Sequence, residues 1–146
     1  MGTTSTAGLA GARVLLVEDE LVVAMLFEEM LADLGCKVVG PISRLDAARQ
    51  AIADHKVDCA LLDINVHGEP VYPLVELLDK RAVPFAFVTG YGAGGVETPF
   101  DKRPVVQKPF MASELKSVLQ RLLGARGKKP AAASLRRGKR TRRRAD

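Results

Sequence analysis

The chain has 146 residues, 47% hydrophobic and 27% charged, with a formal net charge of +5. That composition suits one soluble domain, and no apolar run approaches the roughly 20 residues that span a bilayer. The charge is unevenly placed: residues 1–124 hold 12 Lys/Arg and 16 Asp/Glu, or −4, while residues 125–146 hold 10 Lys/Arg and one Asp, or +9. The basic balance therefore belongs to the last stretch and not to the globular part. Two cysteines, Cys36 and Cys59, sit beside apolar residues with no Cys-x-x-Cys or Cys/His cluster. They read as small buried hydrophobes in a reducing cytosol, and a structural zinc site is excluded. A cytoplasmic protein is expected.

Residues 1–12 are small and polar with no basic n-region, so they read as a disordered leader and not as a secretory signal. The first six residues also fit the loose myristoylation pattern, which is too short to outweigh that reading. After Arg13, Val14–Val17 is an apolar run that ends in Glu18-Asp19-Glu20. It reads as a buried strand with acids at its carboxyl end. Val22, Val23, Leu26, Met30 and Leu34 then fall at helical spacing and Gly35 supplies a stop. The acids at the helix start suit its dipole. Residues 36–40 form a short strand that Pro41 is expected to break. Ser43 and Asp46 resemble a capping box, followed by an apolar face of Leu45, Ala48, Ile52 and Ala53.

Cys59–Leu62 is a third buried strand, ending in Asp63. Residues 67–70 read as a loop. A third helix follows with Leu74, Leu77 and Leu78 on one face and Pro73 in its first turn. Residues 83–89 form a fourth strand ending in Thr89. Residues 90–104 contain four Gly and two Pro, so a helix there must be short or distorted. A fifth strand, Val105-Val106-Gln107-Lys108, ends in an amine. Leu115, Val118, Leu119 and Leu122 mark a last helix that Gly124 closes. Alternating buried strands and helices imply a parallel sheet covered on both faces, with right-handed crossovers bringing every strand's carboxyl end to one edge.

That edge collects Glu18, Asp19, Asp63, Thr89 and Lys108. Carboxylates so gathered repel one another by about 4 kcal/mol per pair at 4 Å and an effective dielectric near 20. Such a set calls for a cation, and hard oxygen ligands with room for water favour Mg²⁺ over zinc. With a hydroxyl and an ammonium alongside, the site is equipped to accept a phosphoryl group on Asp63 as an acyl phosphate. Each residue alone has a blander reading as a cap, a turn or a solvated charge. Their joint occurrence at separate strand ends is what points to chemistry.

Val17-Glu18-Asp19-Glu20, Leu62-Asp63-Ile64-Asn65, Val88-Thr89-Gly90 and Gln107-Lys108-Pro109-Phe110 resemble, in that order, the motifs of the receiver domain of bacterial two-component response regulators. The resemblance covers about residues 13–123, within a receiver domain read as 13–124. It implies an α/β, flavodoxin-like five-stranded parallel sheet of order 2-1-3-4-5, helices on both faces and a reduced fourth helix. It makes Asp63 the phosphoacceptor, Thr89 the switch hydroxyl and Lys108 the partner of the phosphoryl group, after a cis Lys108–Pro109 bond. Mg²⁺ would be held by Asp19 and Asp63, by Glu18 directly or through water, and by the backbone carbonyl of Asn65. Receivers often carry an aromatic switch residue where this chain has Val105. A subfamily with a Phe-x-Thr-Gly motif, seen here as Phe87-Val88-Thr89-Gly90, makes Tyr91 the switch candidate instead. Asn65 and Tyr91 also occupy the positions that tune hydrolysis in the wider family.

The function implied is a single-domain response regulator that takes phosphate from a histidine kinase or phosphotransferase. It would signal by protein–protein contact or act in a phosphorelay. It would be a phosphoprotein with slow self-dephosphorylation and no other enzymatic turnover. Phosphatases with an aspartate nucleophile typically place a second acid two residues on, where Asn65 stands. Residues 125–146 read as a disordered basic tail without aromatics or apolar periodicity. The alternative function is a nucleic-acid- or membrane-surface-binding effector acting through this tail and regulated by the receiver.

Overall fold

The computed structural model describes residues 9–90, 96, 100 and 103–125. In chain order these form β1 (Arg13–Val17), α1 (Leu21–Asp33), β2 (Lys37–Ile42), α2 (Leu45–Asp54), β3 (Cys59–Asp63), β4 (Asn65–Val66), β5 (Glu69–Pro70), α3 (Pro73–Lys80), β6 (Phe85–Thr89), β7 (Val105–Gln107) and α4 (Ala112–Ala125). Five strands make one parallel sheet of order β2-β1-β3-β6-β7. Setting aside the small β4–β5 hairpin, this is the expected order 2-1-3-4-5.

The unbroken apolar runs arise because the central strands are covered on both faces. Alternate residues divide between two cores, as the period of two requires. Leu15, Val17, Ala60, Leu62, Phe85 and Phe87 pack against α2 and α3. Val14, Leu16, Cys59, Leu61, Ala86 and Val88 pack against α1 and α4. Matched registers, Val17 beside Leu62 and Asp63 beside Val88, bring the strand ends level at one edge.

Several local expectations are corrected. Leu9 is fully buried in the core beneath α1 and α4, and Gly11 N–H and Ala12 C=O bond to Gly35 and Lys37. Burying one leucine is worth about 1.5–3 kcal/mol, enough to dock the last part of the supposed leader; residues 1–8 lie outside those described. Pro41 does not end the second strand, which continues to Ile42 through a cis Gly40–Pro41 bond with a shift in register against β1. An edge strand tolerates the lost donor. Gly40 is required there: its φ is +116°, and a Cβ would lie 2.8 Å from Ile42 N and 2.9 Å from Leu16 O.

The capping box does not form, because α2 starts after Arg44 and Asp46 accepts from Ala47 N–H instead. Likewise α1 has no acid in its first turn. The loop at 67–70 belongs to a hairpin, with Asn65 paired to Pro70 and Val66 to Glu69. His67 and Gly68 both adopt positive φ, the conformation that closes a tight two-residue turn. The inward face of α1 is Ala24, Phe27 and Leu31, whereas Val22 and Leu26 are exposed. In α2, Ala51 is buried in place of Ala53. Tyr91 and most of the segment expected to hold a short fourth helix lie outside the described residues.

Candidate functional site

Each strand of the sheet's middle delivers one polar group to the carboxyl edge. Among the described residues, the buried polar side chains are Glu18 and Thr89, one just past β1 and the other at the end of β6. Buried polar groups need partners. Their concentration here marks the edge as more than the rim of a core.

Glu18 is fixed at both ends. Its N–H donates to Ile42 C=O at 2.9 Å, and its Oε2 accepts from Glu20 N–H at 3.0 Å. Its Oε1 is buried with no hydrogen-bond partner, and its counter-charge is Lys108 Nζ, 3.3 Å away. Asp63 ends β3 with its side chain 15% exposed, 3.8 Å from the same ammonium. Glu20, the last acid of the run after β1, is a third partner of Lys108 at 3.4 Å. Lys108 itself is aligned by the sheet, since its N–H donates to Thr89 C=O at 2.8 Å. The Lys108–Pro109 bond that follows is cis.

Asp19 lies on the other flank. Its Oδ2 accepts from His67 N–H at 2.9 Å, so the β4–β5 hairpin is tied to the acidic pocket by backbone, not by imidazole. Carboxylate oxygens of Glu18, Asp19 and Asp63 lie within 4.8 Å of one another. Asn65 opens the hairpin two residues beyond Asp63.

The electrostatics follow from this crowding. Burial, then the negative charge of Glu18, pushes the Asp63 carboxyl up to about 7, with Lys108 opposing. Burial works against the Lys108 ammonium, yet Asp63 and Glu18 outweigh it and its pKa is raised. One ammonium thus serves several carboxylates and leaves the pocket short of positive charge. The donor set, all carboxylate oxygen with one orphaned buried atom, fits a hard divalent cation such as Mg²⁺.

A carboxylate, a nearby ammonium and a hydroxyl gathered at the carboxyl edge of a parallel sheet are groups of the kind that can receive a phosphoryl group. Residues 14–120 match the response regulator receiver domain family. The chain belongs to that family. SdrG from Sphingomonas melonis Fr1 is 37% identical, with a TM-score of 0.71 over 77% of this chain and 97% of that one. The receiver domain of the sensor histidine kinase PA1611 from Pseudomonas aeruginosa PAO1, solved with a magnesium ion in its active-site cleft, is 25% identical with a TM-score of 0.67, covering 79% of this chain and 99% of that one. The transcriptional regulatory protein PdtaR of Mycobacterium tuberculosis is 28% identical over 117 residues, 77% of this chain. The chain spans 57% of the length of that curated relative. As a receiver domain, the chain is a two-component signal-transduction protein.

Proposed function

We propose that the protein accepts a phosphoryl group on Asp63 from a phosphohistidine of a histidine kinase or phosphotransferase, with Mg²⁺ bound by Glu18, Asp19, Asp63 and the Asn65 carbonyl. The observation that carries this reading is the meeting of Asp63, Glu18, Asp19 and Lys108 at one edge of the sheet. When bound, the cation neutralises the carboxylates and the incoming phosphoryl oxygens.

The chain's own residues do the rest. An Asp63 Oδ attacks phosphorus in line, the P–O bond forms as the P–N bond breaks, and the histidine nitrogen leaves with the electron pair. Lys108 pairs with a phosphoryl oxygen, and the Thr89 hydroxyl donates to another. Asn65, two residues beyond Asp63, and Tyr91, two residues beyond Thr89 in sequence, set how quickly water removes the phosphoryl group; Tyr91 also takes the switch role that Val105 cannot.

The donor protein needs a surface beside Asp63. Leu21, Val22, Met25 and Leu26 of α1, with Met111 after Lys108, are large exposed apolar side chains directly following the site's acids and its lysine. Exposed apolar side chains of this kind suit an amphipathic helix of the donor that presents phosphohistidine. Phosphorylation then shifts a pre-existing equilibrium of the surface around β6 and β7, which a protein partner or the next relay component reads. The protein works in the cytoplasm and has no turnover beyond self-dephosphorylation. Its receiver begins by Leu9, earlier than residue 13, and runs to about 124, with a basic extension in the sequence after it.

Incubation with acetyl phosphate and Mg²⁺ tests this reading. The wild type is expected to shift on a phosphate-affinity gel and Asp63→Asn to stay unshifted; an equal shift in both would refute it.

A further inference from the structure

Glu20 is the acid at the candidate site that the proposed chemistry leaves without a task. It stands at the N-cap of α1, where a side-chain oxygen can satisfy the unpaired N–H groups of the first turn, yet its side chain makes no such bond. It meets Lys108 instead, 88 positions away, with Oε1 3.4 Å from Nζ. A long, largely exposed side chain gives up rotamer freedom to hold that geometry.

The three carboxylates around the ammonium are not equivalent. Glu18 is buried and pinned, its Oε2 taken by Glu20 N–H at 3.0 Å and its Oε1 3.3 Å from Lys108 Nζ. Asp63 lies at 3.8 Å. Both belong, with Asp19, to the oxygen cluster that fits a hard cation, and Glu20 stands outside that cluster. A cation there would offset the charge of Glu18 and Asp63 and leave Glu20 uncoordinated. The Glu20 side chain is also the most open of the three, 65% exposed where Lys108 is 21% exposed. It is thus the carboxylate still able to hold the ammonium when the other two are engaged. Burial works against the ammonium, and Glu20 joins Asp63 and Glu18 in raising its pKa. The N–H by which Glu20 supports Glu18 belongs to its backbone, so the side chain can change without disturbing that bond.

We propose that Glu20 is a positioning residue that holds Lys108 back from Asp63 and so sets how readily the site takes a phosphoryl group. This rests on the reading of Asp63 as the acceptor. Before transfer, the ammonium is shared between Glu20 and the pair of Glu18 and Asp63. As charge grows on the phosphoryl oxygens, Lys108 turns from Glu20 to meet them, and that exchange forms part of the barrier. The flexible four-carbon stem of lysine permits the turn.

A double-mutant cycle on the full chain tests it, with single-turnover phosphorylation by acetyl phosphate at saturating Mg²⁺ measured for wild type, Glu20→Gln, Lys108→Ala and the double variant. Glu20→Gln keeps the length of the side chain and removes its charge. It should speed phosphorylation about two- to fivefold, the range that partly exposed ion pairs contribute. In the Lys108→Ala background it should change nothing. A second readout needs neither metal nor phosphoryl group: in metal-free protein, heteronuclear NMR of the Lys108 ammonium should show its hydrogens exchanging with water faster in Glu20→Gln than in wild type. An unchanged or slower phosphorylation rate, an unaltered ammonium signal, or the same acceleration without Lys108 would each overturn the proposal; the last would assign Glu20 a general repulsion of the anionic donor. If the wild type takes no phosphoryl group, the reading of Asp63 falls and this proposal with it. If the wild type reacts and Glu20→Gln reacts no faster, the role of Glu20 alone falls.

Discussion

Lys108 Nζ lies closer to Glu18 Oε1, at 3.3 Å, than to Asp63 Oδ2, at 3.8 Å. The lysine that should meet a phosphoryl group is thus held chiefly by the neighbouring glutamates when no cation is bound. Glu18 would also hold the divalent cation, whose charge would offset the pull of that carboxylate on the ammonium. Lys108→Ala is therefore expected to slow phosphorylation from acetyl phosphate about 10²- to 10³-fold, the usual cost of losing one charge-stabilising donor. Single-turnover rates at saturating Mg²⁺ check this; an unchanged rate would place the lysine's role in packing alone.

The raised pKa of Asp63 gives a pH signature in metal-free protein. Above the unfolded value of 3.8, the unfolded chain has released the proton that the folded carboxyl holds until about 7. The unfolded state then binds fewer protons, so stability falls as pH rises through that window and the full penalty stands above it. Asp63→Asn removes the penalty. Urea unfolding should show the variant gaining of order 1–2 kcal/mol over wild type between pH 5 and 8, after discounting for partial exposure. Saturating Mg²⁺ should erase most of the difference. A constant gap across pH would contradict the assignment of burial and Glu18 as its causes.

The hairpin's tie to the pocket predicts a contrast at adjacent sites. His67 offers Asp19 its backbone N–H, not its ring. His67→Ala keeps that bond and should change Mg²⁺ affinity by no more than about twofold, as surface substitutions do. Asp19→Ala should lower affinity at least tenfold, because a hard cation loses an anionic oxygen. Calorimetric titration distinguishes the two, and a large loss in His67→Ala would assign the imidazole a role.

Leu9 tests the boundary of the folded unit. It is fully buried, so Leu9→Ala should destabilise the domain by about 2–5 kcal/mol, as other buried leucine truncations do. Thermal unfolding at fixed Mg²⁺ measures it; a loss within error would return residues 9–12 to a loose leader.

The sheet was legible because strands covered on both faces must read as continuous apolar runs, and Val14–Val17, Cys59–Leu62 and Phe85–Val88 do. The chemical edge was legible because each run stops at a polar residue, which burial alone does not explain. What escaped detection had no one-dimensional signal. Helix α1 is apolar nearly all round, so spacing could not decide that Phe27 and Leu31 face the core while Leu21 and Val22 face solvent. Glu20 joins the site only through its distance to Lys108, and His67 through a backbone bond across 48 positions. The His67-Gly68 pair carried a turn signal, but a two-residue hairpin strand is too short to show alternation.

The central claim is that Asp63 is the residue that takes the phosphoryl group. Mass spectrometry after phosphotransfer from a phosphorylated histidine kinase, with fragment mapping, tests it most directly. The expected result is one phosphoryl adduct, on the peptide containing Asp63, that requires Mg²⁺ and is absent from Asp63→Asn. An adduct on His67 or Asp19 in wild type, or an undiminished adduct in Asp63→Asn, would contradict the account.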